Sequence, residues 1–153
     1  MPRLWLLGIL FTLASCVHQL PDGRKVADEI TANSGFEKKL LAAGQFVITT
    51  YQKISNNAGP VIIYIEGDGR IAHNGFILPD PTPTSAMFLR LAMSDLRANV
   101  VYMARPCQYT PKDLNPACNN KQYWTEKRLS PEVIFALNEA INKIAADREV
   151  NLV

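Results

Sequence analysis

The sequence contains three cysteines, and their positions predict the chemistry of each. Cys16 directly follows an apolar segment near the amino terminus, whereas Cys107 and Cys118 flank a short segment that contains two prolines. A cysteine thiol can be acylated, oxidised to a disulfide or bound to a metal, and its surroundings decide among these fates. The two settings therefore predict different chemistry for Cys16 and for the later pair.

Residues 1–15 are predicted to be a secretory signal peptide. Arg3 supplies a minimal positive region, and Leu4 to Thr12 (LWLLGILFT) is an apolar stretch too short to span a membrane. The sequence Leu13-Ala14-Ser15-Cys16 resembles the bacterial lipobox, whose invariant cysteine is diacylated and becomes the new amino terminus. The resemblance implies a protein anchored by lipid rather than one that spans the bilayer. An ordinary signal peptide with a chance cysteine, or a buried amino-terminal helix, is the alternative.

The lipobox resemblance also implies a location and a partner. A lipidated Cys16 places the protein in the cell envelope, with the membrane as its partner. Val17 is not the Asp that marks inner-membrane retention in some bacteria, which favours the outer membrane in a cell that has two.

The charge distribution argues against nucleic acid as a partner. The 153 residues carry 16 Lys and Arg against 14 Asp and Glu, scattered from Arg3 to Arg148 without a basic run. A nucleic-acid-binding surface needs clustered positive charge. The composition is that of a globular domain.

Cys107 and Cys118 are predicted to form a disulfide. Export places them in an oxidising compartment, and the segment between them (QYTPKDLNPA) has the composition of a loop. Two free thiols are the alternative. A metal site is disfavoured because neither cysteine has a CxxC partner or a nearby His, and no cofactor is expected.

Hydrophobic patterns predict alternating strands and helices. A weak helical pattern around Phe36, Leu40 and Leu41 ends at Gly44. Gln45 to Ile54 alternates as a half-buried strand, whereas two unbroken apolar runs are typical of strands covered on both faces. Predicted strands are Gln45–Ile54, Pro60–Ile65, Asn99–Ala104 and Val150–Val153, and predicted helices are Ala86–Leu96, capped by Thr84 or Ser85, and Pro131–Asp147, capped by Ser130. This order predicts crossover units in a parallel sheet.

Three segments carry a family resemblance: VIIYIEGDG, NVVYMARPCQY, and YWTEKRLSPEVIFALNEAI leading into VNLV. Together they resemble the α/β-hydrolase fold, specifically bacterial serine hydrolases of the lipase and esterase kind, over residues 45–153. The resemblance implies the α/β class, with a partial doubly wound, mainly parallel sheet and crossover helices that correspond to the amino-terminal half of that fold.

The segment Glu66-Gly67-Asp68-Gly69 matches the loop that supplies an oxyanion-hole N–H in that family, although Glu stands where His is usual. The match implies that Asp68 offers its backbone N–H, while Gly67 and Gly69 let the chain turn tightly. The alternative is a turn that closes the strand.

The family's nucleophile is not found in the sequence. VNLV would lead into Gly-x-Ser-x-Gly, with the acid and the His later in the chain, and none of these follows. His73 has no serine positioned to use it, and Ser130 is explained as a helix cap. No catalytic residue and no metal ligand is therefore assigned.

These observations predict residues 1–15 as a lipoprotein signal peptide, 16–44 as a lipid-anchored linker and amino-terminal segment, and 45–153 as an incomplete α/β-hydrolase-like domain. The first hypothesis is a lipid-anchored fragment of a carboxylic-ester hydrolase that is inactive alone, with a separately encoded second half as a possible partner. The second is a non-catalytic envelope lipoprotein that serves as a binding or structural module. The substrate is not predicted.

Overall fold

Residues 20–153 are described by a computed structural model, so the predicted signal peptide and Cys16 lie outside the described residues. The chain folds around one mixed sheet, with helices on both of its faces. The α-helices are α1 (Gly23–Thr31), α2 (Met87–Ser94) and α3 (Pro131–Ala145), and the strands are β1 (Glu37–Ala43), β2 (Phe46–Ile54), β3 (Val61–Ile65), β4 (Ala72–His73), β5 (Phe76–Ile77), β6 (Asn99–Met103) and β7 (Val150–Leu152). No helix within residues 20–153 is long and apolar enough to cross a membrane.

The predicted doubly wound, mainly parallel sheet is wrong. The strand order is β1-β2-β6-β3-β7, and β1–β2 and β2–β6 are antiparallel, whereas β6–β3 and β3–β7 are parallel. The antiparallel ladders are also the longer ones, because β1 pairs along its whole length and β7 pairs only over Val150–Leu152. The sheet is therefore mixed and mostly antiparallel.

One part of the difference between the predicted parallel sheet and the observed mixed sheet lies in the β1–β2 hairpin. The predicted helix around Phe36, Leu40 and Leu41 is wrong, because these residues lie in or next to strand β1. Gly44 opens the two-residue turn between β1 and β2 with a φ of 55°, in the left-handed region that such hairpin turns require. The hairpin adds an antiparallel edge where the sequence pattern predicted a helix.

The central strands confirm the prediction of strands buried on both faces. Val61 and Ile63 of β3 pack with α3, while Ile62 and Tyr64 face the layer that contains α1 and α2. Every residue of β6 is buried. Alternate side chains of one strand therefore enter two separate cores, which explains the continuous apolar runs.

The helix predictions have mixed outcomes. Helix α3 begins at Pro131 as expected, with Ser130 at the cap position, but the Ser130 hydroxyl makes no hydrogen bond among the described residues. Capping of α2 by Thr84 or Ser85 is wrong, because Ala86 precedes the helix with a φ of 49°. The predicted strand near the carboxyl end is present as β7, although its side chains are half-buried or exposed.

The Cys107–Cys118 disulfide is confirmed, with an Sγ–Sγ distance of 2.03 Å. The enclosed segment contains one single-turn 3-10 helix, Lys112–Leu114, and the start of a second, Pro116–Asn119, which includes Cys118. Both cysteines are buried beside Trp124 in the core under α3. The bridge therefore closes the loop that follows β6 against the main core.

Asn99 ties the β2–β3 turn to the start of β6, and we predict that Asn99→Ala destabilises the fold. Its Oδ1 accepts hydrogen bonds from the N–H groups of Ser55 (3.1 Å) and Asn56 (2.9 Å), and its Nδ2 donates to the Gly59 carbonyl (3.2 Å). Because Asn99 is buried, these groups would lose their partner, at a cost of roughly 2 kcal/mol in the free energy of unfolding.

Urea unfolding followed by tryptophan fluorescence measures this change. Asn57→Ala is the control, since Asn57 is exposed in the same turn and should change stability by less than about 0.5 kcal/mol. Equal stability of the two variants would contradict the bridging role of Asn99.

Candidate functional site

A cleft of about 480 Å³ lies beyond the carboxyl end of β3, between the loop that follows this strand and the start of α2. We call it the β3 cleft. One side is formed by Ile65, Glu66, Gly67, Gly69 and Arg70, the other by Pro83, Thr84, Ser85, Met87 and Phe88, and Val153 also contributes. Its size is within the usual range of small-molecule sites, and most of its side chains are apolar.

Glu66 is the acidic group of the β3 cleft, and its carboxylate is held in one orientation. Oε2 accepts a hydrogen bond from the Tyr102 hydroxyl (2.6 Å), and Oε1 accepts one from the Gly67 N–H (3.0 Å). Burial, together with the nearby Tyr109 and Glu66, raises the pKa of the Tyr102 phenol well above its usual range. Tyr102 therefore remains a neutral donor, and Glu66 can accept further bonds from a ligand.

Asp68, the predicted oxyanion donor, does not line the β3 cleft. Its carboxylate pairs with Arg105 (2.5 Å) and with Arg128 (3.3 Å), so its side chain joins the loop to the segments after β6 and before α3. Arg105 also donates to the Arg128 carbonyl. These contacts give Asp68 a positioning role in the loop.

Gly67 and Gly69 do line the cleft. The Gly67 carbonyl accepts a hydrogen bond from Gln108 Nε2 (2.9 Å), and Gly69 has a φ of 71°. The Arg70 N–H donates to the Pro81 carbonyl (2.8 Å), which brings the two sides of the cleft together. These hydrogen bonds hold the loop in a fixed turn. An oxyanion role for Gly67, Asp68 and Gly69 stays a prediction.

The turn after β6 joins both sides of the cleft, and the sequence analysis missed it. Cys107 and Tyr109 have φ values of 73° and 59°, an uncommon conformation for residues other than glycine. Between them, the buried Gln108 reaches Gly67, while the Tyr109 N–H donates to Thr82 Oγ1 (2.9 Å). The only local signal was Cys107, whose disulfide holds this turn against the core.

Two residues that carry a side-chain hydroxyl group, Thr84 and Ser85, line the β3 cleft. His73 lies on the exposed strand β4 outside it. Within residues 20–153, no serine hydroxyl is hydrogen-bonded to an imidazole, and no three His, Cys, Asp or Glu side chains form a metal-binding group. The cleft therefore offers an oriented acid, a cation and apolar surface.

Asp80 and Arg24 connect α1 to the second side of the cleft. Asp80 Oδ2 lies 2.6 Å from Arg24 Nη1, and Oδ1 accepts a hydrogen bond from the Thr82 N–H (2.9 Å). Burial alone would raise the pKa of the Asp80 carboxyl, but the bonds from Thr82 and Arg24 outweigh it and lower this pKa. The ionised carboxylate is therefore stabilised by folding.

We predict that Asp80→Asn lowers the free energy of unfolding by about 1 kcal/mol at neutral pH. Because the folded-state pKa is below the unfolded value of about 3.9, this contribution is present above pH 4 and disappears as the pH falls further. Urea titrations of both proteins across this range measure the difference. Asp113→Asn is the control, since Asp113 is exposed and forms no ion pair within residues 20–153. The prediction would be contradicted if the difference in the free energy of unfolding between Asp80→Asn and the native chain were the same at all pH values.

The predicted membership in the α/β-hydrolase family is wrong, because the sheet is mixed and mostly antiparallel, with three α-helices among residues 20–153. Comparison with known proteins does not support it either: no family model, no curated protein and no solved structure matches the chain. The chain is therefore assigned to no family, and its function is inferred from the chemistry of the β3 cleft.

Proposed function

We propose that this chain is a lipid-anchored protein of the cell envelope that serves as a non-catalytic binding module, with the β3 cleft as its ligand site. The observation that carries the proposal is the combination, in one cleft, of apolar side chains with the oriented carboxylate of Glu66. The lipobox-like sequence that ends at Cys16 supports the anchor. In a cell with two membranes, Val17 favours the outer one.

The lining of the cleft suggests the class of ligand. Ile65, Met87 and Phe88 offer apolar surface, and Met87 is 74% exposed. Glu66 and Arg70 place one negative and one positive group at the same cleft. A small amphiphile fits this arrangement, with an apolar body and a polar end that both donates and accepts hydrogen bonds.

The ligand site is tested with N-phenyl-1-naphthylamine, an apolar fluorophore with one N–H donor. Its fluorescence should rise on binding, and Ser85→Trp should weaken the affinity by roughly tenfold or more, because an indole placed there occupies the cleft. Ser94→Trp, at the exposed far end of α2, is the matched control and should leave binding unchanged. Equal binding by both variants would exclude the β3 cleft as the site.

The anchor is tested separately by metabolic labelling with radioactive palmitate. Cys16→Ser should abolish the label and release the protein from membranes. Ser15→Ala keeps a small residue before the cysteine and should retain both properties. Label that persists in Cys16→Ser would show that the lipobox interpretation is wrong.

A further inference from the structure

The β4–β5 hairpin carries apolar side chains that no packing in the described chain explains. It forms a two-stranded sheet of its own, closed by Asn74 and Gly75, which both have positive φ as hairpin turns require. Phe76 is 77% exposed and Ile77 is 47% exposed. An isolated two-stranded hairpin is marginally stable in water, so exposed apolar residues on its surface indicate a contact beyond residues 20–153.

The β4–β5 hairpin lies on the same side of the molecule as the start of α1, where the chain enters the fold. Gly23, at the start of α1, lies against the Pro83 carbonyl so closely that a Cβ there would be 2.0 Å from its oxygen. Arg24 binds Asp80, and Asp80 follows Phe76 by at most about 14 Å of extended chain. The start of α1 therefore packs against the segment that follows the hairpin.

The proposed lipid attachment is close in sequence to this entry point. At most about 25 Å of extended chain separates Cys16 from Gly23. A protein held on so short a tether keeps its entry side near the bilayer. The exposed residues Phe76 and Ile77 are then within reach of the membrane surface.

The charges around the hairpin fit a membrane surface. Lys121 Nζ donates to the Ile77 carbonyl (3.4 Å), which places a cation beside the apolar tip, and residues 72–77 include no acid. Trp124 Nε1 donates to the Leu78 carbonyl (3.2 Å) and fixes the base of the hairpin. An exposed aromatic side chain such as Phe76 next to a lysine favours the interface of a bilayer that contains anionic lipid.

We infer that the β4–β5 hairpin docks on the anionic surface of the membrane, with Phe76 and Ile77 inserted at the interface and Lys121 facing the lipid headgroups. This inference rests on the proposed anchor at Cys16. The acyl chains supply most of the membrane affinity, and the hairpin sets the orientation of the β3 cleft relative to the bilayer.

The test uses the full acylated protein in vesicles of phosphatidylcholine and phosphatidylglycerol. An environment-sensitive nitrobenzoxadiazole label at Phe76→Cys should be quenched by brominated lipid several-fold more strongly than the same label at Asn57→Cys. Asn57 is the control because it lies in the exposed β2–β3 turn, at the end of β3 opposite the loop that leads to the hairpin. Lys121→Glu should reduce the quenching of the Phe76→Cys label.

The outcomes separate the docking from the anchor. Mass spectrometry that shows the acyl group, together with equal quenching at positions 57 and 76, would overturn the docking alone. An unmodified Cys16 would overturn the anchor and the docking with it. Protection of the label at position 76 before vesicles are added would show that a second copy covers the hairpin, which also overturns the docking.

Discussion

Replacing Cys107 and Cys118 together with serine should lower the free energy of unfolding by about 3 kcal/mol. The disulfide closes a short loop and so removes conformations from the unfolded chain that the variant would regain. Both residues are buried, at 4% and 2% exposure, so two hydroxyl groups would also enter an apolar core. Urea unfolding monitored by the fluorescence of Trp124, which packs in the same core, measures the loss.

Two comparisons separate the crosslink from the change of side chain. The Cys107→Ala/Cys118→Ala variant removes the bridge without adding a hydroxyl, and the native chain treated with a reductant removes it without any substitution. All three proteins should lose stability, with the serine variant losing the most. A reduced native chain as stable as the oxidised one would contradict a stabilising role for the disulfide.

Features whose cause is local were predictable from the sequence. The apolar runs of β3 and β6 identify strands with two covered faces, and Ser130-Pro131 marks the start of α3. The composition of the segment between Cys107 and Cys118 indicates a loop that a disulfide can close. In each case the residues that carry the signal are neighbours in the chain.

Strand β1 was not predictable by the same reasoning. It is an edge strand in which Ala43 is buried, Leu41 is half-buried and the first four residues are exposed, so its sequence lacks the alternation of a half-buried strand. Leu40 and Leu41, adjacent in the chain, resemble part of a helical face. The usable signal was Gly44, which permits a tight hairpin turn but was interpreted as the end of a helix.

The direction of strand pairing and the chemistry of the cleft depend on contacts between distant segments. Periodicity does not reveal that β6 pairs with β2 in the antiparallel direction and with β3 in the parallel direction. The register places Tyr102 beside Tyr64, and this brings the Tyr102 hydroxyl to Glu66. The sequence analysis noted Glu66 only as a departure from a motif, whereas the structure makes it the oriented acid of the β3 cleft.

The loop of Glu66 to Gly69 contains two glycines with opposite tolerance to a side chain. Gly69 has a φ of 71°, and a Cβ at this position would lie 2.1 Å from the Pro81 carbonyl oxygen and 2.6 Å from Gln108 Nε2. Gly67 has nothing within 4 Å of the same position. Gly69→Ala should therefore lower the free energy of unfolding by about 3 kcal/mol, because strained backbone and a backbone clash act together.

Gly67→Ala is the matched control, and we expect it to change stability by less than about 0.5 kcal/mol. The Arg70 N–H to Pro81 bond closes the cleft beside Gly69, so Gly69→Ala should also weaken binding of N-phenyl-1-naphthylamine, whereas Ser94→Trp, outside the cleft, should retain it. Urea unfolding and the fluorophore titration measure the two effects on the same samples. Any movement that relieves the clash must displace the Pro81 segment. A Gly69→Ala protein with native stability and native binding would therefore contradict the close contact between the two sides of the β3 cleft.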